Sequence, residues 1–352
     1  MRTPLKLLAA LTMLVAATAH AESPDRSPSV SATPTKSRSS IALAAPADPH
    51  LVLSKEACVK CHAPEIKVWQ ATPHAKTVDL LHRRPEAKQI AQKLGLQSIK
   101  HDGRCVACHY TQQSKGPDQT PHVIAGVSCE SCHGAAKNWV ELHHDYGGPK
   151  ITRTTESPEH RRQRLTKSIA AGMRNPVNVY AIAQSCLRCH TTADEQLVNA
   201  GGHSAGSLDF EFVSWSQGSV RHNFVRTDGK SNTPSSPERL RVMFVAGMIA
   251  ELEASYRATA IATKKDTFGV TVAKRAARSI KRLKSVSTKV EEPLLDEILT
   301  VASGVKLKLN NRAELEAAAD EIAKLGYQFA ARNSGESLRS LDAFIPKADR
   351  WK

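Results

Sequence analysis

The chain has 352 residues, with 49 Lys or Arg against 34 Asp or Glu and a formal charge of +15. Aromatic residues make up only 5% of it, low for a chain of this length that fills its cores with side chains alone. No stretch beyond the N-terminal one is long and apolar enough to span a bilayer, which argues against a helical membrane protein.

At the N-terminus, Arg2 and Lys6 precede an apolar run from Leu7 to Ala19 that ends in Ala19-His20-Ala21. About a dozen apolar residues followed by a small-x-small site is the pattern of a cleavable export signal, so 1–21 reads as a signal peptide and the mature protein as periplasmic or otherwise exported. Nucleic acid is then excluded as a target. Residues 22–49 are rich in Ser, Pro, Thr and Ala without apolar periodicity and read as a disordered linker.

The region 50–230 holds all eight cysteines, in four pairs with two residues between partners, and a histidine follows each pair. The pairs are Cys58 and Cys61 before His62, Cys105 and Cys108 before His109, Cys129 and Cys132 before His133, and Cys186 and Cys189 before His190. Two thiols about one helical turn apart reach the two vinyl groups on one porphyrin edge, and the next imidazole swings under the iron. Disulfides or a four-thiolate zinc site would also use paired cysteines, but neither needs a histidine after every pair. At this chain's Cys and His frequencies roughly 0.01 such pentads are expected by chance. Four covalent haem c groups, with His62, His109, His133 and His190 as proximal iron ligands, are therefore expected.

Fifteen histidines less the four proximal ones and His20 leave ten candidates for the opposite faces. The segment 55–222 resembles the tetrahaem cytochrome family that accepts electrons from hydroxylamine oxidoreductase. The resemblance is carried by Cys58-Val59-Lys60-Cys61-His62, by Trp69-Gln70-Ala71-Thr72-Pro73-His74-Ala75, and by Gly126-Val127-Ser128-Cys129-Glu130-Ser131-Cys132-His133-Gly134 with His143 beyond it. It implies that His74 crosses to the third haem and that His143, with His144 as its rival, returns to the first. The fourth haem takes its distal ligand from downstream, where His222 is nearer the family offset and His203 competes. For the second haem the resemblance implies an iron with no strong ligand opposite His109; His122 on its Pro-His turn, or Met173, could cap it.

Short helical signals bounded by breakers fall at 64–72, 85–94 and 158–172. Phe210, Phe212 and Trp215 in 208–215 suggest aromatic packing on the fourth haem in preference to a strand. From 231 onward cysteine and histidine disappear, and Ala, Leu, Lys, Arg and Glu dominate. Helices are expected at 238–263, 267–287, 292–303 and 312–333, with Pro237 and Asn311 as starts and Gly335 as a stop. The predicted fold is mainly α: a multihaem cytochrome domain with little regular sheet over 50–230, followed by a C-terminal helical bundle over 231–352.

Two functions compete: an electron shuttle between redox partners, and a haem enzyme acting on a small nitrogen oxide or hydroxylamine at an open iron near Cys105 and Cys108. A third reading makes the haems a sensory input to the helical half. Every motif ends in His, and no Cys-x-x-Cys-Lys variant marks a catalytic haem, which favours the shuttle. Lys274, Arg275, Arg278, Lys281, Arg282, Lys284 and Lys289 form a basic run with no acid among them, which reads first as a solvated helix face and, as its functional alternative, as a docking patch for an acidic redox partner. Stopped-flow electron transfer with that partner should slow as salt rises; a salt-independent rate contradicts the docking face.

Overall fold

The computed structural model describes residues 46–116 and 118–352. The signal peptide and most of the linker expected from the sequence lie outside the described residues. The described residues belong to one compact unit. It is mainly helical, with a single two-stranded antiparallel hairpin among the described residues. No helix among them is long and apolar enough to cross a membrane.

The first half is a chain of short helices. These are α1 (Val59–Ala71), α2 (Pro73–Leu80), α3 (Pro85–Lys93) and α4 (Gly103–His109), then the hairpin β1 (Thr111–Gln113) with β2 (His122–Ala125). Helices α5 (Cys129–His133), α6 (Pro158–Ala170), α7 (Val179–His190), α8 (Glu195–Asn199) and α9 (Phe212–Gln217) follow. Helix α1 begins before Pro64, where the sequence places its start, because the first cysteine motif is itself helical; the helix kinks at His62 and Pro64 sits just beyond the kink. The 208–215 segment is a turn that runs into the helix starting at Phe212; Phe210 before the helix and Trp215 on it pack beside His190.

Few of these helices carry enough apolar surface to stand alone, so buried polar contacts tie them together. Trp69 Nε1 donates to Val127 O at 2.8 Å and Val127 N donates to His74 O at 3.1 Å, joining α1 and α2 to the segment after the hairpin. Gly126 lies against that joint: a Cβ there would sit 2.4 Å from His74 O. The Glu130 carboxylate is 2% exposed and accepts from the backbone N–H groups of Leu53, Ser54 and Ala136 at 2.8 to 2.9 Å. It thereby fastens the chain on both sides of the third motif to the start of the first.

The second half contains α10 (Pro237–Ala260), α11 (Thr267–Ser287), α12 (Pro293–Ser303) and α13 (Arg312–Arg332), with ends within three residues of the expected ones. Ser236 caps α10 by accepting from Arg239 N, and Pro237 occupies its first turn. Helix α10 is buried along most of its length because it packs on α11 and α13 on one side and on α7 and α9 on the other. The four C-terminal helices form the expected bundle, and α10 extends its core into the cysteine-rich half.

That shared core contains charge. Glu253 of α10 is fully buried and accepts from Tyr180 Oη and Gln184 Nε2 of α7, each at 2.6 Å, and from Arg257 Nε at 2.9 Å. Burial raises the Glu253 carboxyl above its ordinary range, while Arg257 and the two α7 donors work against that rise. Part of the basic run of α11 also turns inward. Arg275 is 1% exposed and Arg282 Nη1 donates to Glu251 at 2.9 Å. The exposed cations of that helix face are Lys274, Arg278, Lys281 and Lys284, with Lys289 beyond its end.

Helix α13 reaches α7 through Gly326, where a Cβ would lie 2.4 Å from the Tyr180 ring. Gly326→Ala is therefore expected to lower stability by about 1 to 3 kcal/mol through overpacking, outweighing the gain of up to about 1 kcal/mol from better helix propensity. Chemical denaturation checks this; a stabilised variant contradicts the close approach.

Candidate functional site

All four cysteine-histidine motifs are helical. They occupy the beginning of α1, most of α4, all of α5 and the last turn of α7. Helical spacing puts each cysteine pair on one face and sets the histidine one turn beyond the first cysteine. No disulfide joins any two of the eight cysteines among the described residues. Among the described residues no group of three or more His, Cys, Asp or Glu side chains is placed to hold a metal ion.

Each motif histidine instead faces one histidine from elsewhere in the chain. Ring centroids are 6.3 Å apart for His62 and His143, 6.2 Å for His190 and His74, 6.2 Å for His109 and His203, and 6.1 Å for His133 and His222. An imidazole nitrogen lies about 2 Å from a metal it binds and about 1 Å from its own centroid, so imidazoles on opposite sides of one ion have centroids about 6 Å apart. The interplanar angles run from 25° to 90°. Rotation about the axis between two opposed nitrogens permits any such angle.

The positions differ in part from what the resemblance implies. His143 faces the first motif, as implied. His74 faces the fourth motif rather than the third, because the Trp69–Val127–His74 lock and a 2.6 Å hydrogen bond from Thr77 Oγ1 to His109 O hold α2 against α4. His222 faces the third motif. Its loop is pinned by Ser219 N donating to Lys352 O at 2.8 Å and by Asn232 Nδ2 donating to Arg221 O at 2.6 Å. His203 faces His109, the motif for which the sequence offered no strong partner. It follows Gly202, whose φ of +80° turns the chain after α8, and its N–H donates to Leu197 O at 3.1 Å.

The remaining candidates lie elsewhere. His144 is half exposed and pairs with Glu141 at 3.4 Å, His122 is exposed on β2, and the Met173 sulfur accepts from Asn175 Nδ2 at 3.6 Å.

Several rings are held in the tautomer a metal requires. Nδ1 of His143, His222, His203 and His133 donates to the carbonyls of Val140, Val220, Ser204 and Arg174 at 2.5, 2.6, 2.8 and 3.2 Å. Because a carbonyl only accepts, the proton sits on Nδ1 and the Nε2 lone pair is free. Burial favours the neutral form of five rings: it is the main cause that pushes His109, His133 and His190 down to about 4 and lowers His74 and His143.

The motifs also touch one another. Cys58 lies beside Cys129, and Cys108 beside Cys189, close enough for each to influence the other electrostatically. Ser185 Oγ donates to Cys132 O at 3.1 Å where α7 crosses α5. First, third, fourth and second motifs thus follow one another in space.

The surroundings suit a porphyrin. A cleft of about 350 Å³ beside His109 is lined by Pro73, Thr77, Leu80 and Leu81 with Lys76 and Arg84: apolar surface for a ring face and two cations for propionates. Leu80 is 45% exposed there. Trp139 and Trp215, whose rings lie 5.3 and 5.0 Å from those of His143 and His190, each bury an indole N–H that has no protein acceptor.

No solved structure matches the chain significantly. Cytochrome c-554 of Nitrosomonas europaea is 33% identical over 104 residues, which is 26% of this chain and 42% of that protein. The chain therefore spans less than half the length of this curated relative. Residues 57–134, which contain the first three motifs and the lock around His74, match the family model described as cytochrome c554 and c-prime.

Proposed function

We propose that the chain is an exported electron carrier with four covalently attached haems, ligated by His62 with His143, His109 with His203, His133 with His222, and His190 with His74. The observation that carries this reading is the ring separation of 6.1 to 6.3 Å found at every motif histidine. The match of residues 57–134 to the cytochrome c554 and c-prime model supports covalent haem and electron transfer at the level of the family.

When bound, haem supplies one-electron chemistry at iron, and the residues around it decide whether a substrate also has access. Two imidazoles on each ion leave no coordination position free. His203 is the decisive side chain, because it lies where the alternative reading, an enzyme acting on a small nitrogen oxide or hydroxylamine, needs an open face. The contacts between motifs set the expected route of the electron: first, third, fourth and second sites in turn. Helix α10 and its neighbours contribute no ligand; they hold α7 and the His203 and His222 loops in place.

The N-terminal signal places this carrier outside the cytoplasm. Its partner is an acidic redox protein that meets the exposed cations of α11, from Lys274 to Lys284, together with Lys289. The finer expectation of a donor that oxidises hydroxylamine rests on the resemblance over 55–222.

Carbon monoxide tests the coordination directly, since it binds ferrous haem that has an open position. The reduced wild-type spectrum should be unchanged by the gas, and His203→Ala should bind it at one haem in four. Binding by the wild type at one haem per chain contradicts the carrier reading and restores the enzyme.

A further inference from the structure

Arg275 of α11 is the largest of the fully buried side chains, and nothing in the electron-carrier reading requires it. Its Nη1 donates to the carbonyl of His190 at 2.9 Å and its Nε to Glu251 at 3.2 Å, while Nη2 has no protein acceptor. Arg282 reaches the same carboxylate at 2.9 Å and Arg278 lies 3.8 Å from it. Three guanidinium groups therefore share Glu251, and the one that touches the fourth motif is the most deeply buried. Glu211, the second acid facing this cluster, has its carboxylate occupied by the N–H groups of Val213 and Ser214 at the start of α9. Asp209, also near His190, is paired with Lys352 at 2.5 Å. Phe210 and Trp215 fill the remaining side, each 5.0 Å from the His190 ring. The result is a permanent cation in a largely dry setting at the backbone of an iron-binding histidine.

We propose that Arg275 raises the reduction potential of the haem attached at Cys186 and Cys189, and that Glu251 limits the rise. Uptake of one electron, delivered from a neighbouring haem, lowers the charge of that site by one. A fixed positive charge nearby favours the reduced form, and a fixed negative charge opposes it. Surface screening is weak at this depth. The C-terminal helices thus do more than brace the haem half: they set where the electron rests. Arg275 acts through His190 and its field, so it is a positioning residue rather than a ligand.

The inference rests on the four-haem reading, and both are tested on the full-length holoprotein. A pyridine haemochrome assay first counts haem per chain; fewer than four in the wild type contradicts that reading, whatever the titrations show. Spectropotentiometric titration then compares Arg275→Gln, Arg275→Lys and Glu251→Gln with the wild type. Arg275→Gln should lower one midpoint of the four, by on the order of a tenfold change in the oxidised-to-reduced ratio at fixed potential, which is 59 mV for one electron. Arg275→Lys should restore most of it, and Glu251→Gln should move the same midpoint upward. A purely structural role would move both neutral variants in the same direction or neither. Either of those results overturns the proposal. Should Arg275→Gln fail to accumulate, Glu251→Gln decides alone: an upward shift supports the proposal, and no shift or a downward one overturns it.

Discussion

Under the proposed ligation, two imidazoles face each other across about 6 Å, a pair that one short helix cannot place by itself, and that constraint accounts for the way the segments are tied together. Each motif fixes one ring by local geometry, since its cysteines and histidine share a helix. The opposite ring comes from a segment 81 to 116 residues away, His62 to His143 being the nearest pair in sequence and His74 to His190 the farthest. The fold is the set of ties that brings these segments to the right distance. The Trp69–Val127–His74 lock, the Glu130 carboxylate and the pinned loop before His222 belong to that set. Each pairs polar groups from segments far apart in the chain, so each contributes register as well as stability.

Low aromatic content fits this design. A chain that closes around porphyrins needs fewer large side chains of its own, and the cysteine-rich half shows short helices, a three-residue strand and apolar side chains such as Leu80 left in the open. The C-terminal helices supply the conventional core. Helix α10 lies under both halves, and its buried carboxylates Glu251 and Glu253 face α11 and α7 respectively. Removing one partner from such a network leaves a charge stranded in a dry interior, a heavier penalty than losing a surface pair. The helix that carries the fourth motif is therefore the one most firmly seated.

Much of this was legible in the sequence where a local rule applies. The repeated spacing of cysteine and histidine identified four equivalent sites, and capping and periodicity placed the C-terminal helices within three residues of their ends. The resemblance pointed to His74 and His143, and the strings that carry it prove to be hydrogen-bonded to one another. Which distal ring faces which motif was not legible, because that depends on how α2, α8 and the loop before His222 pack, and spacing along the chain says nothing of it. His203 was weighed for the fourth motif, yet it faces the second, since Gly202 turns the chain after α8 toward α4. The basic run of α11 read as one exposed face; Glu251, a full helix away in sequence, draws Arg275 and Arg282 inward. Helical periodicity places Arg275, Arg278 and Arg282 on one stripe, a signal that could have suggested an inward-facing subset.

The central claim is that every motif histidine shares its iron with a second imidazole. Integration of the electron paramagnetic resonance spectrum of the ferric holoprotein tests it most directly. Four low-spin haems per chain are expected, with His203 completing the second site; a high-spin signal amounting to one haem in four would rule out a second imidazole there.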